Sequence, residues 1–566
     1  MKWLACHCIG TISRMSETQR ESFILRHVTL ETHRTLSVQN SKSVPHDLPN
    51  IRTTELIEED SPSLRQTVSV CGVMLPIHDR KSQKEGCLVT LPSTRRNLEA
   101  VALAVCRGHP VLLEGVVGCG KTSIVEHLAC VTGRIRAPAL TKIQLGDQTD
   151  SKTLLGTYCC TQTPGEFIWR PGSLTQAVTN GFWILLEDID YAPMDVISIL
   201  VPLFGITNFI STSCRTVART KMVSGCANLL DKLWTKVTLE TLTRSELLQL
   251  VAIRWPKLEA VSEKLVGVYL MLSSSQHDDD TEKENQTDVF DFTTVKTSGR
   301  LVSTCDLMKW SSRVACHIAN TDTSVANRAF QEALDCFCAA VPDQLLSYKF
   351  ALHIGSFMNR TKAEIEYYCV QYKPEVTHLS NSFVIGQRAK LHRKPVNAQY
   401  LKQSVDIPFS FTRPAACLLE RIGVAVMNQE PVLIVGETGT GKTSTVQYLA
   451  HQTRNRLRVI NMNQQKRGDN KPISRHPDFR LFACMNPATD VGKKELPAGL
   501  RNRFTEFFME ELNSKQDLMI IINDYLLKLG PTSQQIKGIK DFYKKVKKEA
   551  ELSLMDGTGH KPHYSL

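Results

Sequence analysis

Two segments of the sequence carry glycine, lysine and threonine at a spacing that binds phosphate. Both fit G-x-x-x-x-G-K-[ST], in which backbone amides converge on phosphate oxygens, the lysine reaches the β- and γ-phosphates, and the hydroxyl ligates Mg²⁺. The expected phosphate-binding residues are Gly115, Gly118, Cys119, Gly120, Lys121, Thr122 and Ser123 in the first segment, and Gly436, Gly439, Thr440, Gly441, Lys442, Thr443 and Ser444 in the second. The sequence therefore predicts two loops that bind a nucleoside triphosphate with Mg²⁺ on Thr122 and Thr443.

A pair of carboxylates follows the first loop at the end of an apolar run. Residues 183–186 read Trp-Ile-Leu-Leu and lead into Glu187 and Asp188. One such acid can hold Mg²⁺ while its neighbour polarises the attacking water, so we assign the metal role to Glu187 and the water role to Asp188. The usual order is Asp then Glu, and the shorter base is expected to slow hydrolysis. The alternative is a buried strand that merely leaves the core into a polar turn.

The second segment has no such acids. Only a polar stretch separates its expected second strand, 458–460, from the next apolar strand, 481–484. We therefore expect the second loop to bind nucleotide poorly or without turnover.

The elements that position these residues are repeated along the chain. Residues 111–129 and 432–450 are identical at 11 of 19 positions, and each loop lies between an apolar strand and a helix. This order predicts an α/β fold with two doubly wound parallel sheets in tandem, each followed by a helical lid. The helix N-terminus after each loop would face the phosphates.

Composition excludes several classes of protein. The 42% of hydrophobic residues argues against wholesale disorder, and no apolar run is long enough for a membrane span. The first residues lack the apolar core of a signal peptide, and the cysteines are scattered, which indicates reduced thiols. The net charge of +11 is mild for this length, and no basic–aromatic pattern predicts sequence-specific binding of nucleic acid. No zinc-binding spacing occurs.

Changes in composition and periodicity suggest seven segments. They are a poorly ordered start (1–65), a first core (66–272), a disordered linker (273–299), a first lid (300–386), a second linker (387–408), an incomplete second core (409–508) and the start of a second lid (509–566).

Residues 66–566 resemble the start of the midasin family of ring-forming AAA+ ATPases. The most specific segments are 144–152, 164–167, 183–193, 330–337 and 476–487. The resemblance implies tandem AAA+ modules that use ATP and Mg²⁺, with neighbouring modules of a ring supplied in cis or in trans. It also implies a role in remodelling pre-60S ribosomal particles and their assembly factors, in the nucleolus and nucleoplasm.

The resemblance also implies roles for three residues of the second module. Asn486 is similar to the polar sensor that orients the lytic water. Arg501 and Arg503 are similar to the arginine-finger segment, and one of them is expected to complete the site of Lys121, Glu187 and Asp188. The alternative is two surface arginines on a loop.

Several departures from the family favour a second hypothesis, a non-catalytic nucleotide-binding scaffold or decoy. The segment before the first sensor strand is missing, and 209–213 is a candidate replacement for that strand. Cys305 stands where the family has an arginine that senses the γ-phosphate, with Arg300 or Arg313 as candidate substitutes. These gaps suggest a truncated or alternatively spliced product, or a mis-predicted gene model. Phe167 and Trp169 lie in an expected hairpin, for which packing is favoured over a role in a pore.

Overall fold

The computed structural model describes fifteen parts of the chain, all within the compact unit Leu56–Leu566. They are 66–84, 88–108, 110–146, 149–160, 166–200, 209–213, 234–274, 302–316, 324–395, 409–460, 476–487, 496, 498–512, 514–526 and 529–553. The expected N-terminal segment and the two expected linkers lie wholly or largely outside these residues. Arg300 and the end of the second lid, 554–566, lie outside them as well.

The strands and helices are named in chain order. The strands are β1 (Thr67–Val70), β2 (Val73–Pro76), β3 (Val111–Glu114), β4 (Leu140–Gln144), β5 (Gly156–Cys160), β6 (Phe167–Pro171), β7 (Trp183–Glu187), β8 (Phe209–Ser213), β9 (Thr235–Thr238), β10 (Val376–His378), β11 (Ser382–Ile385), β12 (Ala389–His392), β13 (Val432–Gly436), β14 (Phe482–Met485) and β15 (Thr505–Met509). The helices are α1 (Pro92–Cys106), α2 (Lys121–Val131), α3 (Ser151–Leu155), α4 (Ser173–Asn180), α5 (Met194–Leu200), α6 (Arg244–Arg254), α7 (Glu259–Ser274), α8 (Thr304–Ala315), α9 (Ser324–Ala333), α10 (Gln344–Phe357), α11 (Lys362–Glu366), α12 (Arg413–Met427), α13 (Lys442–Gln452), α14 (Ala498–Arg501), α15 (Lys515–Leu526) and α16 (Ser533–Ser553).

The first sheet has five parallel strands in the order β4-β7-β8-β3-β9. Strand β7 is buried along its whole length, as expected for an apolar run inside a parallel sheet. The predicted replacement strand is present as β8, which pairs with β3 on one side and β7 on the other. The α/β class with parallel sheets is therefore confirmed, and the carboxyl ends of β3, β4 and β7 meet at one edge.

The second sheet contains three parallel strands in the order β14-β13-β15 among the described residues. The prediction of a strand at 458–460 is wrong, because these residues have no regular secondary structure and Val459 and Ile460 are largely exposed. In the first sheet, the corresponding strand β4 pairs only with the acid-bearing strand β7. The second module has no counterpart of β7 in the described residues, so 458–460 has no such strand to pair with.

One helical layer forms the lid of the first module. Helices α6 and α7 share a hydrophobic core with α8–α11, in which Trp310 and Phe330 are completely buried. The antiparallel strands β10–β12 instead pack in the second core, where Phe383 meets the apolar face of α12. We therefore propose a lid that begins at Arg244 rather than at 300, and a second core that begins before residue 387.

Glu246 ties this lid to the first core. It closes a capping box with Thr243 at the start of α6. The same carboxylate accepts hydrogen bonds from the backbone and the hydroxyl of Ser93, at 2.6 and 2.8 Å, at the start of α1.

The hairpin β5–β6 departs from the expected packing role. All five residues of β6 are exposed, with Phe167 63% and Trp169 45% accessible. Trp169 meets Tyr158 of β5 edge to face, with ring centroids 5.0 Å apart. Tyr158 and Trp169 therefore pack on each other at the surface of the hairpin.

Candidate functional site

The first phosphate loop connects β3 to α2 in a conformation that requires glycine. Gly118 and Gly120 have φ angles of +84° and +93°, a region that L side chains rarely adopt. Lys121 folds back so that its ammonium donates to the carbonyls of Gly115 and Val116, at 2.7 and 2.9 Å. The loop and the start of α2 thus present backbone N–H groups and a lysine at one point, which suits a phosphate chain.

The second phosphate loop repeats this geometry. Gly439 and Gly441 have φ angles of +79° and +91°. The Lys442 ammonium donates to the carbonyls of Gly436 and Glu437, at 2.7 and 2.6 Å. Two loops of the same sequence pattern therefore have the same backbone form.

The remaining predicted phosphate ligands lie in or directly after the two loops. Cys119 and Thr440 occupy equivalent loop positions, and the Thr440 hydroxyl donates to the Glu437 carbonyl at 2.8 Å. Ser123 and Ser444 are exposed in the first turns of α2 and α13.

Thr122 and Glu187 meet where a magnesium ion would be held. The Thr122 hydroxyl donates to Glu187 Oε1 at 2.8 Å, although the two residues are 65 positions apart in the chain. A hydroxyl and a carboxylate next to a phosphate loop form an all-oxygen donor set, which Mg²⁺ prefers. No group of three or more metal-ligating side chains occurs in the described part of the chain, and this pair would need phosphate oxygens and water to complete the coordination.

Asp188 is held in a strained and buried position. Its φ is +55°, and it is only 4% exposed. Gln144, the last residue of β4, donates from Nε2 to Asp188 Oδ2 at 2.6 Å. Non-glycine residues in this region of φ/ψ space cluster at functional sites, and the contact fixes the carboxylate beside the phosphate loop.

Arg503 of the second module reaches the first site. Its guanidinium forms a salt bridge with Glu187 Oε2, while Thr122 occupies the other carboxylate oxygen. Arg501 instead binds Glu506 of its own module with two hydrogen bonds, of 2.8 and 2.7 Å. Of the two predicted finger residues, the structure brings Arg503 to Glu187 and keeps Arg501 on Glu506.

Helix α14 approaches the same site closely. A Cβ built on Gly499 would lie 2.2 Å from Asp188 Oδ2. A glycine is therefore required at this point of the interface between the modules.

The second site lacks a comparable carboxylate among the described residues. Thr443 hydrogen-bonds the Cys484 thiol of β14, whose pKa is raised by burial. Asn486 lies beside the second loop, and its Nδ2 donates to the Thr438 hydroxyl at 2.7 Å. A neutral thiol is a poor substitute for an oxygen ligand of Mg²⁺.

The first lid touches its own phosphate loop. A Cβ on Gly118 would lie 2.9 Å from Ser303 Cβ, at the N-cap of α8. Burial and the nearby charge of Asp306 raise the pKa of the Cys305 thiol in the first turn of this helix, and the charges of Lys309 and Arg503 partly oppose this shift. Arg313, a candidate substitute for the missing sensor, is completely buried in salt bridges with Glu332 and Glu430, so that interpretation is wrong.

Three residues near the site were not predicted from the sequence. Gln144 could have been found, because it ends the strand beside the acidic one and the ends of parallel strands meet. Gly499 and Lys309 carry no local signal, since their contacts depend on how the two modules dock.

Comparison with known protein families gives three matches. The AAA domain of the dynein-related subfamily matches residues 110–224. Midasin AAA lid domains match residues 246–360 and 517–566. The first lid match begins two residues after the start of α6, which supports the proposed boundary.

Individual relatives agree with these matches. Midasin of Dictyostelium discoideum is 26% identical to this chain over 89% of its length. Midasin of Giardia intestinalis is 25% identical over 65% of it, and Protein NorQ of Paracoccus denitrificans is 38% identical over 17%. The chain spans 13% of the Dictyostelium relative and 8% of the Giardia one. Within the described ranges, no helix has both the length and the apolar character needed to cross a bilayer.

Proposed function

We propose that this chain binds Mg²⁺–ATP at both phosphate loops and hydrolyses ATP at the first. The proposal starts from its homology to midasin, with matches to an AAA domain and to midasin lid domains. One contact carries the proposal: Glu187 joins Thr122 of its own phosphate loop to Arg503 of the next module. In ring ATPases, a neighbouring module completes the nucleotide site, so that ATP is hydrolysed only when the interface between the two modules closes.

Each residue of the first site has a distinct task. Lys121 and the loop amides hold the phosphates, and Thr122 and Glu187 would hold Mg²⁺. The ion, when bound, would offset the negative charge of the phosphates. Asp188 accepts the proton of the attacking water on a carboxylate oxygen, and the hydrogen bond from Gln144 keeps that carboxylate in place.

Arg503 supplies positive charge at the γ-phosphate. A cation placed there in the transition state is worth a factor of about 10³ to 10⁵ in turnover. Its side chain is 48% exposed and lies at the interface of the modules, so it can move between Glu187 and a phosphate oxygen.

The second loop is proposed to bind nucleotide without turnover. Lys442 and the loop glycines match those of the first site, while Cys484 is the neighbour of Thr443. Asn486 would orient water there, but no described carboxylate is placed to activate it.

The test is steady-state ATP turnover together with nucleotide affinity on the purified 566-residue chain. Lys121→Ala should abolish turnover, whereas Lys442→Ala, the matched change in the second loop, should leave most of it. Arg503→Ala should lower kcat at least 100-fold and leave ATP affinity within about twofold. Arg458→Ala, which removes an exposed arginine of the same module, is the control.

A parent chain that binds ATP but does not turn it over would favour the second candidate, a nucleotide-binding scaffold. Two observations support that candidate: the described residues of the second module include no acidic strand, and Cys305 lies in the lid. Equal effects of Lys121→Ala and Lys442→Ala would contradict the assignment of hydrolysis to the first site.

The cellular role is proposed from the midasin relationship alone. We propose that the chain works in the nucleolus and nucleoplasm on pre-60S particles and their assembly factors. Co-sedimentation of the tagged chain with pre-60S particles, weakened by Lys121→Ala, would support this role. A tagged chain that stays out of the nucleus and off these particles would contradict it.

A further inference from the structure

The lid of the first module forms hydrogen bonds with the loop of the second module that carries Arg503. Lys309 projects from α8, and its ammonium donates to the carbonyl of Asn502 at 3.2 Å and to that of Phe504 at 2.9 Å. These two carbonyls flank Arg503 in the chain. A single side chain of the first lid therefore holds the backbone on both sides of the finger.

A second set of hydrogen bonds links the same lid to Thr505, which follows this loop. Arg313, four residues beyond Lys309 on α8, donates twice to Glu430, at 2.9 and 2.6 Å. Glu430 also accepts from the Thr505 hydroxyl at 2.6 Å. Arg313 and Thr505 are almost completely buried, so these hydrogen bonds are screened little by solvent.

The backbone around Arg503 is also held by turn contacts of its own module. Within the turn that follows α14, the Arg503 amide donates to the Leu500 carbonyl at 3.2 Å. Its guanidinium is half exposed and reaches into the first module. The Phe504 amide also donates to the Arg501 carbonyl at 3.1 Å, so the two hydrogen bonds from Lys309 add to the turn contacts that hold this backbone.

We propose that Lys309 is a positioning residue that fixes Arg503 for hydrolysis at the first site. The lid of the first module would then orient the finger that completes the site of that same module. A movement of the lid would reach the finger through Lys309, without passing through the phosphate loop. The inference rests on the proposed function, in which Arg503 acts at the γ-phosphate.

The first experiment measures hydrogen exchange of the amides of 502–505, a readout that does not depend on activity. Lys309→Met keeps the aliphatic chain and removes the charge, so exchange in this loop should become at least tenfold faster. Lys264→Met, at an exposed position of α7 in the same lid, should leave it unchanged. Unchanged exchange in Lys309→Met would overturn the proposal.

The second experiment measures turnover in the single and double variants. Lys309→Met should lower kcat about tenfold with an unchanged ATP affinity, and Lys309→Arg should restore most of the loss because a guanidinium can reach both carbonyls. In the Arg503→Ala background, Lys309→Met should have no further effect.

The two experiments separate the failure of this inference from that of the proposed function. If Arg503→Ala keeps full turnover while the exchange in Lys309→Met is faster, the finger role is wrong and Lys309 holds a loop with no part in hydrolysis. If Arg503→Ala loses turnover and Lys309→Met lowers turnover by the same factor in the Arg503→Ala background as in the parent chain, Lys309 acts through some other contact.

Discussion

Gly499 offers a sharp test of the interface between the two modules. Its missing side chain lets α14 approach Asp188, and a Cβ there would lie 2.2 Å from Oδ2 and 2.9 Å from Cγ. Gly499→Ala should therefore separate the modules or displace the carboxylate. Neither change touches the phosphate loop.

The size of the effect follows from the distances. An ordinary contact of this kind begins at 3.4 Å, so the two groups must separate by at least 1.2 Å. If Asp188 rotates away instead, its Oδ2 loses the hydrogen bond from Gln144, which is 2.6 Å long. A misplacement of about 1 Å at a catalytic group costs about 100-fold, so we expect a fall in kcat of about 30- to 100-fold, or about 2 to 3 kcal/mol.

The assay compares kcat and ATP affinity in Gly499→Ala with those in Gly538→Ala. Gly538 lies in α16 with no atom within 4 Å of an added Cβ, so alanine there should leave turnover unchanged. ATP affinity should stay within about twofold in both variants. If Gly499→Ala hydrolyses ATP at the wild-type rate, the close contact between α14 and Asp188 is not needed for hydrolysis. The two modules would then be docked differently when ATP is hydrolysed.

Three further predictions concern stability and the second site. Burial opposes the charge on Glu246, but hydrogen bonds from Ser93 and Thr243 outweigh it and lower its pKa to about 2. Its contribution to stability should thus be complete above pH 4.5 and be lost as the pH falls toward 2. In urea unfolding at pH 7, Glu246→Gln should be about 2 kcal/mol less stable than the wild-type chain. Between pH 7 and pH 3.5, the variant should lose less stability than the wild-type chain does. Arg313→Met leaves Glu430 without its cation and Glu332 with Arg388 alone, so it should lower the free energy of unfolding by about 3 to 5 kcal/mol, and a loss below 1 kcal/mol would contradict the link between the lid and the second module. Asn486→Ala should change steady-state turnover by less than about twofold, because hydrolysis is assigned to the first site.

The sequence predicted those features that depend on short stretches of chain. The phosphate loops were predicted because glycine spacing and the flanking strand and helix are local. Strand β8 was a candidate replacement because the missing segment precedes a strand in the middle of a parallel sheet, where a gap leaves backbone groups unpaired. The strand at 458–460 was predicted wrongly, since its β-propensity has no effect without a partner such as β7.

Features that depend on docking could not be predicted. The sequence offered Arg501 and Arg503 as equal candidates, and the choice between them depends on Glu506, which binds Arg501 within the module. The burial of Arg313 follows from the approach of Glu430, 117 residues away. The proposed boundary of the first lid could not be predicted because α6 and α7 share a core with α8–α11, which follow the polar stretch 273–299 in the sequence.

Strand β14 has consequences for how the protein must be handled. Among the described strands it has a neighbour on one side only, β13. Within the described ranges its other side pairs with no strand, and an unpaired parallel edge is the geometry that recruits strands from other polypeptides. Self-association of concentrated samples is therefore expected to begin at the second module, and a lysine introduced on this edge should delay it.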